Sequence, residues 1–226
     1  MTSAVATSLA QRLAAVREQV HTACVAAGRD SREVTLVGIS KTFPIEIAAE
    51  AVRAGLNDLG ENRVQEGAPK AEALAAMGLE PTWHLVGHLQ TNKVRKALER
   101  FQVIHSVDSE KLLATIGRSA EWPVRVFLQV NVAGEDTKSG VAPSELSRLI
   151  EAARATANVE LLGLMTIGPI VDDPDTARPV FAELRRLGQQ HGLAGLSMGM
   201  SHDFAAAIAE GATHVRVGRA IFGERP

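Results

Sequence analysis

Apolar residues recur at steps of three and four along residues 8–27, at Leu9, Leu13, Val16, Val20 and Cys24. That period is typical of a helix that buries one face. Gly28 follows the last apolar position, where helices commonly end. The spacing therefore predicts an N-terminal helix over residues 8–27.

The rest of the chain alternates between short apolar runs and helical stretches. Residues 34–40 (VTLVGIS) are almost continuously apolar, as expected of a strand buried on both faces. Pro44 opens the next segment and Gly55 closes it, in the order that a helix favours. Further strand-like runs begin near Asp58, Thr82, Val103, Val124, Val159, Leu193 and Thr213.

Eight strand-then-helix units in one unbroken chain predict an α/β fold, a (β/α)8 TIM barrel with an extra N-terminal helix. We expect residues 1–226 to form a single domain. Residues 133–140 and 168–175 are predicted to be loops. An open, doubly wound sheet is the alternative topology.

Composition narrows the class of protein. Lys plus Arg is 24 and Asp plus Glu is 26, so the net charge of -2 argues against a general nucleic-acid binder. A single cysteine, Cys24, excludes an intramolecular disulfide and a cysteine-rich zinc site. Residues 1–30 lack the apolar core of a signal peptide, and no run approaches the roughly 20 apolar residues of a membrane helix. We therefore expect a cytoplasmic protein without a membrane partner.

Unusual polar residues follow the apolar runs. A barrel gathers the carboxyl ends of its strands at one mouth, so we expect these residues to meet there. They are Lys41, Glu61, Asn62, His84, Gly87, His88, Ser106, Asp108, Asn131, Met165, Thr166, residues 197–201, Arg216 and Gly218.

Lys41 invites two interpretations. A lysine after a strand is commonly a solvated strand end. However, seven residues of buried-strand character precede Lys41, and its side chain would therefore begin inside the desolvated mouth of the barrel. There its pKa can fall and its amine can attack a carbonyl.

His84 and His88 lie four residues apart, which is one spacing of a metal pair. They flank Gly87 at a strand end, and no acidic third ligand is close in the sequence. A hydrogen-bonding or structural role is the favoured interpretation for both.

Two glycine-containing turns end the last two units, LSMGMS (196–201) and VRVGR (215–219). The loops after strands seven and eight are the recurrent phosphate site of such barrels, and glycine lets backbone N–H groups approach an anion. A phosphate-bearing carbonyl compound held between these loops and Lys41 fits both features. Pyridoxal 5'-phosphate (PLP) and the phosphosugar of a class I Schiff-base aldolase both meet that description.

The chain resembles the pyridoxal phosphate homeostasis proteins, whose fold is that of the N-terminal barrel of alanine racemase and ornithine decarboxylase without the second, β-rich domain. Eight segments in order across residues 34–223 carry the resemblance: GISKTFP (38–44), LGENRVQE (59–66), WHLVGHLQTNK (83–93), HSVD (105–108), LQVNVAGEDTKSG (128–140), GLMTIG (163–168), LSMGMSHDF (196–204) and VRVGRAIFG (215–223).

The resemblance implies that Lys41 holds PLP as a Schiff base and that Arg216 faces the pyridine nitrogen. Ser201, Gly218 and Arg219 would bind the phosphate, the last two through backbone N–H groups, because family members often carry threonine at position 219. Further positions that match the cofactor pocket are Asn62, His84, Met165 and Met200.

The implied function is a non-catalytic PLP carrier. A permanent cation beside the pyridine nitrogen disfavours its protonation, which makes the ring a poor electron sink. The chain has no tyrosine to act as the second base of a racemase. The family role is control of free PLP, with delivery to apo PLP-dependent enzymes and indirect effects on amino-acid and keto-acid balance.

Alternatives remain at this stage. A weak amino-acid racemase would use Lys41 as its base, and an aldolase would use Lys41 on a phosphosugar. Lys138, in GEDTKSG, is either a solvated lysine or a contact that helps release the cofactor. We expect a monomer, because the racemase-type dimer relies on the second domain.

Overall fold

Eight parallel strands close into a barrel in chain order in the computed structural model, which describes residues 7–134, 139–169 and 173–224. The first strand pairs with the eighth, Thr35 opposite His214, so the predicted barrel is confirmed and the open sheet is wrong. Lys138 lies outside the described residues. The strands are β1 (Thr35–Ile39), β2 (Asp58–Glu61), β3 (Thr82–Leu85), β4 (Val103–Val107), β5 (Val124–Gln129), β6 (Val159–Met165), β7 (Gly195–Met200) and β8 (His214–Val217).

Helices follow the strands and cover the outside of the barrel. Within the described residues they are α1 (Leu9–Ala26), α2 (Ile45–Arg53), α3 (Val64–Ala76), α4 (Val94–Leu98), α5 (Glu110–Ser119), α6 (Leu146–Ala155), α7 (Arg178–Gln190), α8 (Phe204–Ala209) and α9 (Arg219–Phe222). None of these helices combines the length and the apolar character needed to cross a membrane.

Helix α1 confirms the predicted N-terminal helix. Ser8 caps it, and Gln11 completes a reciprocal capping box, so orphan N–H groups of the first turn are satisfied. The five apolar positions that predicted the helix are all buried. The Arg12 Nε donates to the carbonyl of Ile221 at 2.8 Å, which ties α1 to the last helix of the chain.

Two helices begin after a short turn. Residues 143–145 form a 3-10 turn, so α6 begins at Leu146, and its apolar face is buried. Helix α8 begins at Phe204, because the Met200 N–H donates to Asp203 Oδ1 and holds the intervening residues in a turn.

Strands β6 and β7 approach each other closely where Gly163 faces Gly195. A Cβ added to Gly163 would stand 1.9 Å from the carbonyl oxygen of Gly195. Only glycine is compatible with that separation. The pairing continues to Met165 opposite Ser197, which brings the carboxyl ends of both strands to the mouth.

Candidate cofactor-binding site

Lys41 lies two residues beyond β1, at the mouth of the barrel. Together with residues of the β8–α9 loop it lines one small cavity, whose walls are Ile39, Lys41, Phe43, Gly218, Arg219 and Gly223. The structure therefore brings Lys41, Gly218 and Arg219 together, although 177 residues separate Lys41 from Gly218 in the sequence (218 − 41).

The two glycine-containing turns are joined by a hydrogen bond. The Gly218 N–H donates to the Ser201 Oγ at 3.1 Å, so the loops after β7 and β8 form one continuous rim. Gly199 has a φ of 88°, and a Cβ there would lie 2.6 Å from the Cβ of Ala207. The turn that places Ser201 on the rim therefore requires glycine at position 199.

Gly218 differs from Gly199 in its surroundings. A Cβ at Gly218 would meet nothing nearer than the Ile39 carbonyl oxygen at 3.4 Å, which is an ordinary contact. A glycine with room at its Cβ position, beside a serine hydroxyl and an arginine, lets a phosphate group approach the donors of this rim. The residues present thus fit a phosphorylated carbonyl compound, with the Lys41 amine on the same cavity.

Arg216 lies inside the barrel, beneath this rim, and is buried. Its Nη1 donates to the Ser197 Oγ at 2.6 Å and its Nη2 to the carbonyl of Thr166 at 2.9 Å. Burial lowers the pKa of Arg216 to about 10, and the nearby Asp203 carboxylate opposes that change. The guanidinium is accordingly still a cation at neutral pH.

The other predicted pocket residues occupy three different places. Met165 is buried and packs with Val103 and Phe127 inside the barrel. Met200 ends β7 beside Ser201 and is partly exposed. Asn62 follows β2 and lines an adjoining open groove with Arg63, His88 and Lys93, rather than the cavity that contains Lys41.

His84 is deeper than expected. Its Nε2 lies 3.0 Å from Asp58 Oδ1, and Asp58 is the first residue of β2, so the ring points away from the mouth. The expectation that His84 lies at the mouth is wrong, because its side chain is directed along the barrel interior. The predicted hydrogen-bonding role is confirmed by a second contact, of Nδ1 with His105 Nε2 at 2.9 Å.

His88 is separate from this interior. It is exposed at the mouth, and its Nδ1 lies 3.6 Å from Asp108 Oδ2. Over the described ranges, no three His, Cys, Asp or Glu side chains are grouped as a metal would need.

A buried ion pair lies behind Lys41, and the residue pattern along the sequence does not predict it. The Lys70 Nζ donates to Glu61 Oε1 and to the carbonyl of Ser40, both at 2.7 Å, and the Ser40 hydroxyl donates to the same carboxylate. Burial raises the pKa of Glu61, and Lys70 opposes this. The pair fixes the backbone of Ser40, the residue directly before Lys41.

His105 and Ser197 were also not assigned roles. They hydrogen-bond to each other at 2.7 Å, and both are fully buried. The one available signal was a histidine in the middle of the run VIHSV, where a buried imidazole needs polar partners.

Comparison with known proteins agrees with this geometry. The family described as "Alanine racemase, N-terminal domain" matches residues 11–226. The pyridoxal phosphate homeostasis protein of Aquifex aeolicus is 45% identical over 224 residues, which cover 95% of this chain and 97% of the relative. The chain belongs to the pyridoxal phosphate homeostasis protein family. The relative of that name in Escherichia coli K12 is 39% identical over 228 residues, with 96% and 97% covered.

Solved structures place this family member on the same fold. PipY of Synechococcus elongatus with PLP bound superposes with a TM-score of 0.83 at 37% identity, covering 96% of this chain and all of PipY (100%). Alanine racemase of Corynebacterium glutamicum gives a TM-score of 0.68 at 18% identity, and the match covers 95% of this chain but 61% of the racemase. The second comparison shows a shared barrel.

Proposed function

We propose that this protein binds PLP at the mouth of its barrel and takes part in PLP homeostasis. The observation that carries the proposal is the single cavity shared by Lys41, Gly218 and Arg219, with Ser201 hydrogen-bonded to its rim. The PLP-bound structure of PipY, a relative with 37% identity, supports it.

Each group of the site has a distinct task in this proposal. The Lys41 amine holds the cofactor covalently through its carbonyl carbon. The Ser201 hydroxyl and the backbone N–H groups of Gly218 and Arg219 bind the phosphate, and the Gly218 N–H exchanges its hydrogen bond to the Ser201 Oγ for one to a phosphate oxygen. The other four positions surround this cavity from outside it in the proposal. Asn62 lies in the adjoining groove, Met200 lies beside Ser201, and Met165 and His84 lie in the barrel interior.

Arg216 explains why binding would occur without efficient catalysis. PLP supplies, when bound, an electron sink whose strength depends on a protonated ring nitrogen. Arg216 is a cation at neutral pH, so a proton on a ring nitrogen beside it is disfavoured by the repulsion between like charges. The sequence contains no tyrosine that could act as a second base. We therefore propose a carrier rather than a racemase.

The finer parts of the proposal concern the cell. We propose that the protein is a cytoplasmic monomer that delivers PLP to apo-enzymes and so affects amino-acid and keto-acid balance. Mixing the PLP-loaded protein with an apo-transaminase and following the recovered activity tests delivery. Recovery no faster than spontaneous release of PLP would contradict it.

The first experiment is the visible spectrum of the purified protein, followed by borohydride reduction and peptide mapping. We expect a yellow chromophore and a pyridoxyl group on the peptide that contains Lys41. K41A should abolish both, whereas K93A, which changes a lysine of the adjoining groove, should leave them intact. A protein that stays colourless with added PLP would overturn the proposal and favour a phosphosugar aldolase.

Catalysis is tested separately by incubating single enantiomers of amino acids in deuterated water. We expect exchange of the α-hydrogen far below ~1 per second, an ordinary enzyme rate. Exchange at or above that rate would identify a racemase instead of a carrier.

A further inference from the structure

Five side chains form a continuous hydrogen-bonded chain through the barrel interior. It starts at Asp58, the first residue of β2, and ends at Arg216, which reaches the carbonyl of Thr166 just beyond β6. The successive separations are 3.0 Å from Asp58 to His84, 2.9 Å to His105, 2.7 Å to Ser197 and 2.6 Å to Arg216. The chain therefore connects the amino end of the barrel to the side chain beneath the cofactor rim.

Hydrogen-bond chemistry allows this chain one direction. Arginine has donors only, so Ser197 accepts from Arg216, while the Asp58 carboxylate at the other end only accepts and takes its hydrogen bond from His84 Nε2–H. With both rings neutral, His105 Nδ1 therefore accepts from the Ser197 hydroxyl. The proton of His105 then lies on Nε2 and is donated to His84 Nδ1.

His84 completes the sequence of donors. With Nδ1 accepting, its proton lies on Nε2 and points at the Asp58 carboxylate. Every donor in the chain is matched, and both imidazoles are held in the same tautomer.

The chain requires both imidazoles to be neutral, because an imidazolium has no lone pair with which to accept. Burial lowers the pKa of His84 and, further, that of His105. The charged and titratable groups that face the two rings are Asp58, Arg125, His214 and Arg216, and of these only Asp58 raises a histidine pKa.

The interior of such a barrel is ordinarily filled by branched apolar side chains. A polar chain gives no clear advantage in stability over an apolar core, since every member must be desolvated and matched. What it does provide is a fixed orientation for its last member. Arg216 is held on one side by Ser197 and on the other by the carbonyl of Thr166.

We propose that Asp58, His84, His105 and Ser197 are positioning residues that orient Arg216 toward the bound cofactor from the opposite end of the barrel. The effect on PLP rests on the proposed function, whereas the direction of the chain does not. Asp58 is the point of access, because a quarter of its side chain (25%) is exposed.

The first test uses the protein without PLP. Two-bond ¹⁵N–¹H spectra of the histidine side chains at pH 7 should show His84 and His105 neutral, each with its proton on Nε2. D58A should shift the Nδ1 resonance of His105, two hydrogen bonds away, which simple packing of two rings would not do. A proton on Nδ1 of either ring, or an unmoved His105 signal in D58A, would overturn the proposal.

The second test measures PLP dissociation constants. S197A removes the hydrogen bond to a charged group and should weaken binding about tenfold. D58A, which changes a residue far from the rim, should weaken it about threefold. The double variant should bind no more weakly than S197A alone, because the chain is already broken.

H214Q is the matched control. His214 packs against the rings of both His84 and His105, but its Nδ1 contacts Thr213 and not the chain. It should lower the unfolding midpoint while changing PLP affinity less than twofold. Equal PLP affinity in D58A and H214Q would show that the chain does not position Arg216. If the wild-type protein binds no PLP, the proposed function fails. The spectra of the PLP-free protein still test the direction of the hydrogen-bonded chain.

Discussion

The mouth and the interior of this barrel are built on opposite principles. At the mouth, Lys41 and Gly218 lie on loops and are partly exposed, and the position that a Cβ would take at Gly218 is uncrowded. In the interior, His84, His105 and Arg216 are buried, and each is hydrogen-bonded on two sides. A ligand can reach the groups at the mouth, whereas the side chains of the interior are already hydrogen-bonded to one another. Binding and orientation are therefore separate tasks of separate layers.

The largest expected effect concerns the ion pair behind the mouth. K70A leaves the fully buried Glu61 carboxylate without its cation, and breaking a buried pair typically costs about 3–5 kcal/mol. Urea unfolding should show a loss of this size. The double variant E61Q/K70M should recover most of it, and a K70A protein as stable as wild type would contradict a structural role for the pair.

The buried histidines inside the barrel predict that the free energy of unfolding falls in acid. Burial lowers the pKa of His214 to about 3, against about 6.5 for an unfolded histidine. Between these values the unfolded chain binds more protons, so the free energy of unfolding falls as pH is lowered from about 6.5. His214 contributes about 1.4 kcal/mol per pH unit in that window.

The variant H214Q removes the titration of one of these buried histidines. Its free energy of unfolding should decline less steeply than that of wild type, by about 1.4 kcal/mol per pH unit between pH 6 and pH 4. Parallel pH profiles for the two proteins would show that His214 titrates normally in the folded state.

A pair of glycine substitutions compares a constrained and an open position of the rim. G199A places a Cβ at a φ of 88° and 2.6 Å from Ala207, so we expect a loss of about 1–3 kcal/mol. G218A meets no close contact and should change stability by less than about 1 kcal/mol while weakening PLP binding. Equal stability losses in the two variants would show that Gly199 is no more constrained than Gly218.

The smallest effect is expected for S201A. Its hydroxyl is partly exposed and accepts from Gly218, so unfolding should change little. PLP affinity should fall about fivefold, the effect of one neutral hydrogen bond. Titration of the visible band checks this, and an unchanged affinity would remove Ser201 from the phosphate site.

The sequence predicted the barrel and the composition of the mouth because both depend on local features. Strand–helix alternation is visible within about 25 residues, and Lys41, Gly199 and Gly218 all lie within two residues of the carboxyl ends of their strands. The closed topology then brings these loops together without further information.

The interior could not be predicted in this way. His105 and Ser197 are 92 residues apart, and their contact depends on which side chains point inward on separate strands. That registry is altered by irregular pairing between Ser197 and Met200 and between Ile104 and Val107. The wrong placement of His84 has the same origin, because a position near a strand end does not say where the ring points.

The contact between Arg12 and Ile221 has a consequence for the order of assembly. The first helix of the chain is anchored by the last one, and that last helix carries the Gly218–Arg219 loop. On a ribosome, α1 emerges early and can pack against α2 and hydrogen-bond to the Gly55 carbonyl, but its hydrogen bond to α9 waits until residue 221 has been made. The cofactor rim is thus completed only after residue 219 has been made, so a half-made chain has Lys41 but no loop to hold a phosphate opposite it.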